Sequence, residues 1–239
     1  MKTAKPQFLA TNTHWSYCEN SSLLAESLAK SIAKQLKQTL AARPRASLAV
    51  SGGRTPLAML KQLSLQPLDW HRVDITLADE RWVDEHNPSS NATLVRSNLL
   101  QNNAQQATFF SLFNAQESDD LGQKNCQAAL ESMSWPLDVV VLGMGDDGHT
   151  ASLFSQCPQL NKALSAPSWQ LCIPTQAPFA PTQRMSLTGP TLLNAKHKHL
   201  HIEGPQKHHV LQQAMTLADP LKMPIFTLLT SPLTIHWCP

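Results

Sequence analysis

One stretch constrains this chain more than any other: Leu137-Asp138-Val139-Val140-Val141-Leu142, followed at once by Gly143-Met144-Gly145-Asp146-Asp147-Gly148-His149. A short, valine-rich run set between Pro136 and Gly143 reads as a strand buried on both faces. Such a strand needs helices above and below it, and the rest of the sequence supplies them. The pattern of apolar run and polar turn recurs. Ser47–Val50 precedes Ser51-Gly52-Gly53-Arg54-Thr55-Pro56, and Val73–Leu77 precedes Asp79-Glu80-Arg81. His199–Glu203 precedes Gly204-Pro205-Gln206-Lys207.

Helical periods fall between these runs. Leu24, Leu28, Ile32, Leu36 and Leu40 recur every fourth residue from Ser21 to Ala42, with Ser21 or Ser22 as the expected N-cap and Arg43-Pro44 as the stop. Leu57, Leu60 and Leu63 follow Pro56, which suits a first helical position. Leu121–Leu130 gives a weaker helix, and Val210, Leu211, Ala214 and Leu217 mark another. Thr108–Phe113, Arg184–Leu187 and Pro224–Leu229 read as further strands, the last closing the fold. Pro174–Pro181 reads as a surface connection or flap. The alternation predicts a single α/β domain over residues 1–239, an open, mostly parallel Rossmann-like sheet with helices on both faces.

Composition excludes several classes. Charged residues make up 15% and apolar ones 42%, a globular balance, while a formal net charge of +2 gives no footprint for nucleic acid or an anionic membrane. The five cysteines are odd in number and lack C-x-x-C spacing, which argues against a disulfide framework or zinc site and suits a reducing compartment. Lys2, Lys5 and the short run Phe8–Ala10 make no signal peptide, so a cytoplasmic location is expected. Oligomeric state is not legible.

In open parallel sheets, ligands bind beyond the carboxyl ends of the strands. A parallel sheet would bring the four polar turns to one rim. Ser51, Gly52 and Gly53 read either as a phosphate cradle at a helix start or as a plain glycine turn. Gly143–Gly148 fits G-x-G-x-x-G, yet no dinucleotide site is expected. Asp146 and Asp147 put negative charge where a pyrophosphate would sit, the following helix is short, and no ribose-binding acid lies about twenty residues on. His149 is expected in the first turn of a helix, neutral and able to accept a proton, with Asp147 as a cap. Arg81, Arg184 and Lys207 stand near other strand ends. His197, His199 and His201 would share one strand face, but without a carboxylate or cysteine at ligand spacing no metal is expected.

Taken together, the motifs resemble the 6-phosphogluconolactonases of the pentose phosphate pathway. They are Ser51-Gly52-Gly53-x-Thr55-Pro56, Asp79-Glu80-Arg81, Ser90-Asn91, Gly143-Met144-Gly145-x-Asp147-Gly148-His149-Thr150-Ala151-Ser152-Leu153-Phe154, Arg184-Met185-Ser186-Leu187-Thr188 and Gly204-x-x-Lys207. The resemblance implies a fold shared with glucosamine-6-phosphate deaminases and cofactor-free hydrolysis of a sugar-phosphate lactone. In that reading His149 takes a proton from water, Arg81 stabilises the oxyanion and Asp147 holds the His149 loop. Asp79 orients Arg81, while Ser51, Gly52, Gly53, Arg184 and Lys207 anchor phosphate, with Arg54 as an addition. Many relatives carry Ser at the Arg54 position. The deaminases typically continue Ile-Ala-Phe-Asn-Glu-Pro after Asp-Gly-His, unlike Thr150–Phe154 here. A non-catalytic sugar-phosphate sensor would have no use for His149.

Overall fold

The computed structural model describes residues 13–115 and 119–239. Lys2, Lys5 and Phe8–Ala10 lie outside them. In chain order the elements are β1 (His14–Tyr17), α1 (Ser21–Ala42), β2 (Ala46–Val50), α2 (Leu57–Ser64), β3 (Val73–Leu77), β4 (Asp79–Arg81), α3 (Asn91–Asn98), β5 (Thr108–Phe110), α4 (Asp119–Glu131), β6 (Val139–Leu142), α5 (Leu160–Leu164), β7 (Cys172–Gln176), β8 (Gln183–Leu187), α6 (Gly189–Leu193), β9 (His197–Glu203), α7 (Gly204–Leu217), α8 (Phe226–Leu229) and β10 (Thr234–Cys238). Seven strands form a parallel sheet in the order β1-β10-β9-β6-β2-β3-β5. Every residue of β2, β3 and β6 is buried, as expected for central strands covered on both faces.

Neighbouring residues of β9 show the two layers. His199 hydrogen-bonds Gln35 of α1 on one side, while Lys198 reaches the Leu193 and Ala195 carbonyls at the end of α6 on the other. Asp138, the polar interruption before β6, is fully buried at the opposite end of the sheet from the glycine loops. Its carboxylate accepts from the Ser47 amide (2.9 Å), Arg43 (2.9 Å) and Lys196 (2.7 Å). Two cations and a backbone donor offset the cost of burying that charge and tie the starts of β2, β6 and β9 together. No helix among the described residues is long and apolar enough to cross a membrane.

The structure departs from sequence expectation in definite places. The α1 cap is Asn20, whose side chain accepts from the Leu23 amide. Pro56 occupies the capping position of α2 rather than its first turn. Pro224–Leu229 contains the short helix α8, and the last strand is β10; a brief apolar run carries too little periodicity to separate the two. Only Thr108–Phe110 of the expected Thr108–Phe113 strand pairs, with β3. Arg184–Leu187 and Asp79-Glu80-Arg81 do not belong to the main sheet. They lie in β8 and β4 of a separate three-stranded antiparallel sheet, β4-β8-β7.

Beneath α1, His199 Nδ1 lies 2.9 Å from His236 Nε2, and His199 Nε2 lies 2.8 Å from Gln35 Oε1. Cross-strand from His236 is His201, and Glu203 Oε1 approaches His201 Nε2 at 3.2 Å. Burial, with His197 nearby, lowers the His199 pKa to about 4. Burial, with His199 and His201, lowers that of His236 to about 3. The unfolded chain therefore binds protons that the native state refuses as pH falls from about 6.5 toward 4, so acid destabilises. Denaturant titrations at pH 7.5, 5.5 and 4.5 should show falling stability, with a shallower slope in His236→Gln. A native profile that is flat over this range would remove the pair from the acid response.

Candidate active site

Four glycine-led or polar segments meet at the carboxyl ends of β2, β6 and β9, where β4 and β8 of the second sheet close one side. They enclose a cavity of about 270 Å³. Ser51, Gly52, Gly53, Arg54, Asp79 and Arg81 line it, as do His149, Arg184 and Lys207. Asp147 stands behind His149. All ten residues singled out from the sequence are thus at one place.

The loop after β6 is folded on itself by Gly145 N–H to His149 carbonyl (2.9 Å) and Gly148 N–H to Gly145 carbonyl (3.1 Å). Gly148 has φ +77°, the left-handed region that glycine adopts freely. Gly145 is required for another reason: a Cβ there would lie 2.1 Å from His149 Nδ1 and 2.5 Å from Asp147 Oδ1. His149 does not open a helix. Ala151, with φ +49°, breaks the chain into a turn closed by a Thr150–Leu153 bridge, and α5 starts only at Leu160. Asp147 therefore caps no helix. Its Oδ1 accepts the His149 backbone N–H (3.1 Å) and meets ring Nδ1 at 2.5 Å. Because a carboxylate only accepts, the Nδ1 proton is assigned to that bond, leaving Nε2 as a base. Burial pushes the Asp147 carboxyl up, but the hydrogen bonds and charge of His149 outweigh it and hold the group below its usual value.

Arg81 and Arg184 are cross-strand partners on β4 and β8. Like charges directly opposite repel, so this pair is costly without an anion. Arg81 Nη1 donates to the Ser89 carbonyl (2.6 Å) and Asn91 Oδ1 (3.0 Å), while its buried Nε has no hydrogen-bond partner among the described residues. Arg184 is buried, with Nε donating to the Pro181 carbonyl (2.7 Å). Burial, resisted by Asp79 and reinforced by Arg81, lowers its pKa. Asp79 does not orient Arg81: its Oδ2 accepts from Ser152 Oγ at 2.5 Å, and Asn91 and Ser89 hold the guanidinium instead.

On the facing side, Ser51 Oγ is buried without a hydrogen-bond partner among the described residues, and Gly53 has φ +97°. Arg54 is exposed at the cavity mouth. Lys207, in the first turn of α7, pairs with Asp146 at 2.7 Å. The alternating histidines do not assemble a metal site: no group of three or more His, Cys, Asp or Glu among the described residues is placed to hold an ion.

Asn91 and Phe179, which line the cavity, were given no role from the sequence, although Ser90-Asn91 is among the matching motifs. Asn91 carried a signal, since Ser90 before it caps α3 by accepting from Thr93 N–H. Buried Asn91 donates to the Asp79 carbonyl (2.8 Å) and lies so close to Gly52 that a Cβ there would be 1.8 Å from its Oδ1. Phe179, in the loop joining β7 and β8, carried none.

The chain belongs to the family described as glucosamine-6-phosphate isomerases/6-phosphogluconolactonase, whose model matches residues 19–237. It is 44% identical over 215 residues to a 6-phosphogluconolactonase of Pseudomonas aeruginosa, covering 90% of each chain. It is also 44% identical to one of Rhizobium meliloti over 224 residues, covering 92% of this chain and 97% of that one. The crystal structure of a 6-phosphogluconolactonase from Shewanella baltica superposes with a TM-score of 0.93 at 40% identity, covering 97% of this chain and all of the other. A monomeric glucosamine-6-phosphate deaminase shares the fold at 16% identity and a TM-score of 0.77.

Because Gly145 leaves room for the imidazole, Gly145→Ala should displace His149 while leaving the anion-facing groups in place. A misplacement near 1 Å lowers turnover by about a hundredfold. Steady-state kinetics should show that loss with an unchanged melting temperature; near-native turnover would show that the ring tolerates the shift.

Proposed function

We propose that this chain hydrolyses 6-phosphoglucono-δ-lactone to 6-phosphogluconate, with His149 as general base. It is a lactone hydrolase of the kind its relatives are named for. The observation that carries the mechanism is the Asp147–His149 pair, with Nε2 making no hydrogen bond among the described residues, in a cavity that two opposed arginines also line. Nε2 takes a proton from water as the water oxygen bonds to the lactone carbonyl carbon. The carbonyl oxygen becomes anionic, and Arg81, whose Nε has no hydrogen-bond partner among the described residues, supplies the compensating charge. Collapse of the adduct breaks the ring C–O bond. The proton returns from His149 to the departing ring oxygen, giving a hydroxyl and a carboxylic acid that then ionises.

The phosphate is held by Arg184, Lys207, Ser51 Oγ and the Gly52–Gly53 backbone, with Arg54 at the mouth. Adjacent placement of Arg81 and Arg184 suits this division. In a 1,5-lactone, the phosphate-bearing carbon is joined through one ring carbon and the ring oxygen to the reacting carbonyl, so neighbouring cations can serve one group each. Asp79 acts through Ser152 to keep the turn after His149 against the cavity. Asp146 holds Lys207 until a phosphate replaces it. Fixing the phosphate makes attack at the carbonyl effectively intramolecular. No step calls for a metal or nucleotide.

Generating the lactone in situ with glucose-6-phosphate dehydrogenase tests the reading. His149→Gln should lower kcat by about a hundredfold or more with little change in KM. Near-native turnover in that variant removes His149 from the mechanism. Lys207→Ala removes a charge-assisted contact worth about 1.5–3 kcal/mol, so KM should rise roughly tenfold to a hundredfold. Unphosphorylated gluconolactone should be a poor substrate for native chain and variant alike. Equal damage toward both lactones would sink the phosphate assignment.

A further inference from the structure

The strand pair β7–β8 is closed by Ala177 N–H to the Thr182 carbonyl (2.8 Å), and Phe179 stands at the tip of that loop. The residue is 51% exposed, although its ring packs on the buried Phe154. The aromatic and cationic groups it meets all belong to the cavity. It packs edge-to-face on Phe154 (5.4 Å, 87°), lies 6.3 Å from the His149 ring, and has the Arg184 guanidinium 5.7 Å from its centroid. Phe154 in turn lies 4.3 Å from His149. Phe179 is thus the exposed end of an aromatic wall that begins at the base.

Most of the other groups assigned to the substrate are charged or are backbone amides, suited to the phosphate and the carbonyl. Neither end distinguishes a closed six-membered ring from an open chain. A pyranose-type lactone also presents ring C–H bonds, which carry slight positive charge and are attracted to the negative face of an aromatic ring. Resting on the lactonase reading above, we propose that Phe179 contacts the substrate ring, packing against its C–H face and selecting closed six-membered sugar phosphates. The contact covers apolar surface that the free protein leaves in water, which favours the bound state.

The test uses the full chain with Phe179→Ala and Phe179→Leu. Loss of a half-exposed phenyl contact should raise the KM for 6-phosphoglucono-δ-lactone by about tenfold, with kcat and its pH profile little changed. The Leu variant should recover part of the loss. Inhibition by inorganic phosphate should be unaltered, and so should the melting temperature. An unchanged KM overturns the proposal. So does an equal weakening of lactone and inorganic phosphate, which assigns Phe179 to Arg184, or a change confined to kcat and its pH profile, which assigns it to His149. Calorimetric binding of glucose 6-phosphate, a closed ring that cannot be hydrolysed here, separates the two readings. If the native chain does not open the lactone, the reaction is wrong, yet a tenfold weaker glucose 6-phosphate affinity in Phe179→Ala still supports the ring contact. A native chain that neither opens the lactone nor binds glucose 6-phosphate overturns both.

Discussion

The carboxylate of Glu80 holds one wall of the cavity together. It is fully buried in β4 and accepts the backbone N–H groups of Arg81, Asn91 and Ala92, each at 2.7 Å, with Ser90 Oγ at 3.1 Å. Two of those amides are the free donors at the start of α3, where a carboxylate is favoured by both hydrogen bonding and the helix dipole. Burial pushes its pKa up against those donors. The result fastens a helix to a three-residue strand that could not hold its place by pairing alone. Arg81 follows Glu80 directly, and Asn91 opens the helix, so both cavity residues are positioned by one side chain. Asn91 then packs against Gly52, and the tie reaches the opposite wall.

Charge in the cavity is arranged to be incomplete. Arg81 and Arg184 face each other across β4 and β8, Lys207 is held by a mostly exposed Asp146, and Ser51 Oγ and Arg81 Nε are buried without hydrogen-bond partners among the described residues. A buried donor left unmet costs free energy, as does a pair of opposed cations. An anion placed between these groups would relieve both costs.

Much of the fold was legible because its signals are periodic. The four-residue spacing of α1 and the doubly buried runs of β2, β3 and β6 carry their own assignment. The second sheet was not legible, since β8 joins its sequence neighbour β7 to β4, which lies about a hundred positions earlier. The expected helix at His149 failed because Ala151–Phe154 looks helical in type but adopts a turn through one left-handed residue. Glycine-led turns identified the walls of the cavity, including His149, Asp147 and Lys207. The parts that Asn91 and Phe179 play follow only from tertiary contact, and the supposed Asp79–Arg81 contact is replaced by Asn91 and Ser89 for the same reason. Pattern reveals which residues end a strand, but their partners across the cavity follow from packing.

The edge of the main sheet joins sequence positions far apart: β1 near one end of the described chain pairs with β10 near the other, and with no other strand. On a ribosome, β1 emerges before β10 and has this sheet neighbour only once β10 exists. Trp237 in β10 also donates to the Gly204 carbonyl at the start of α7, the helix that carries Lys207. The start of the helix that carries Lys207 is therefore tied to β10. A nascent chain thus holds its glycine loops before the strand that braces the helix of Lys207 exists.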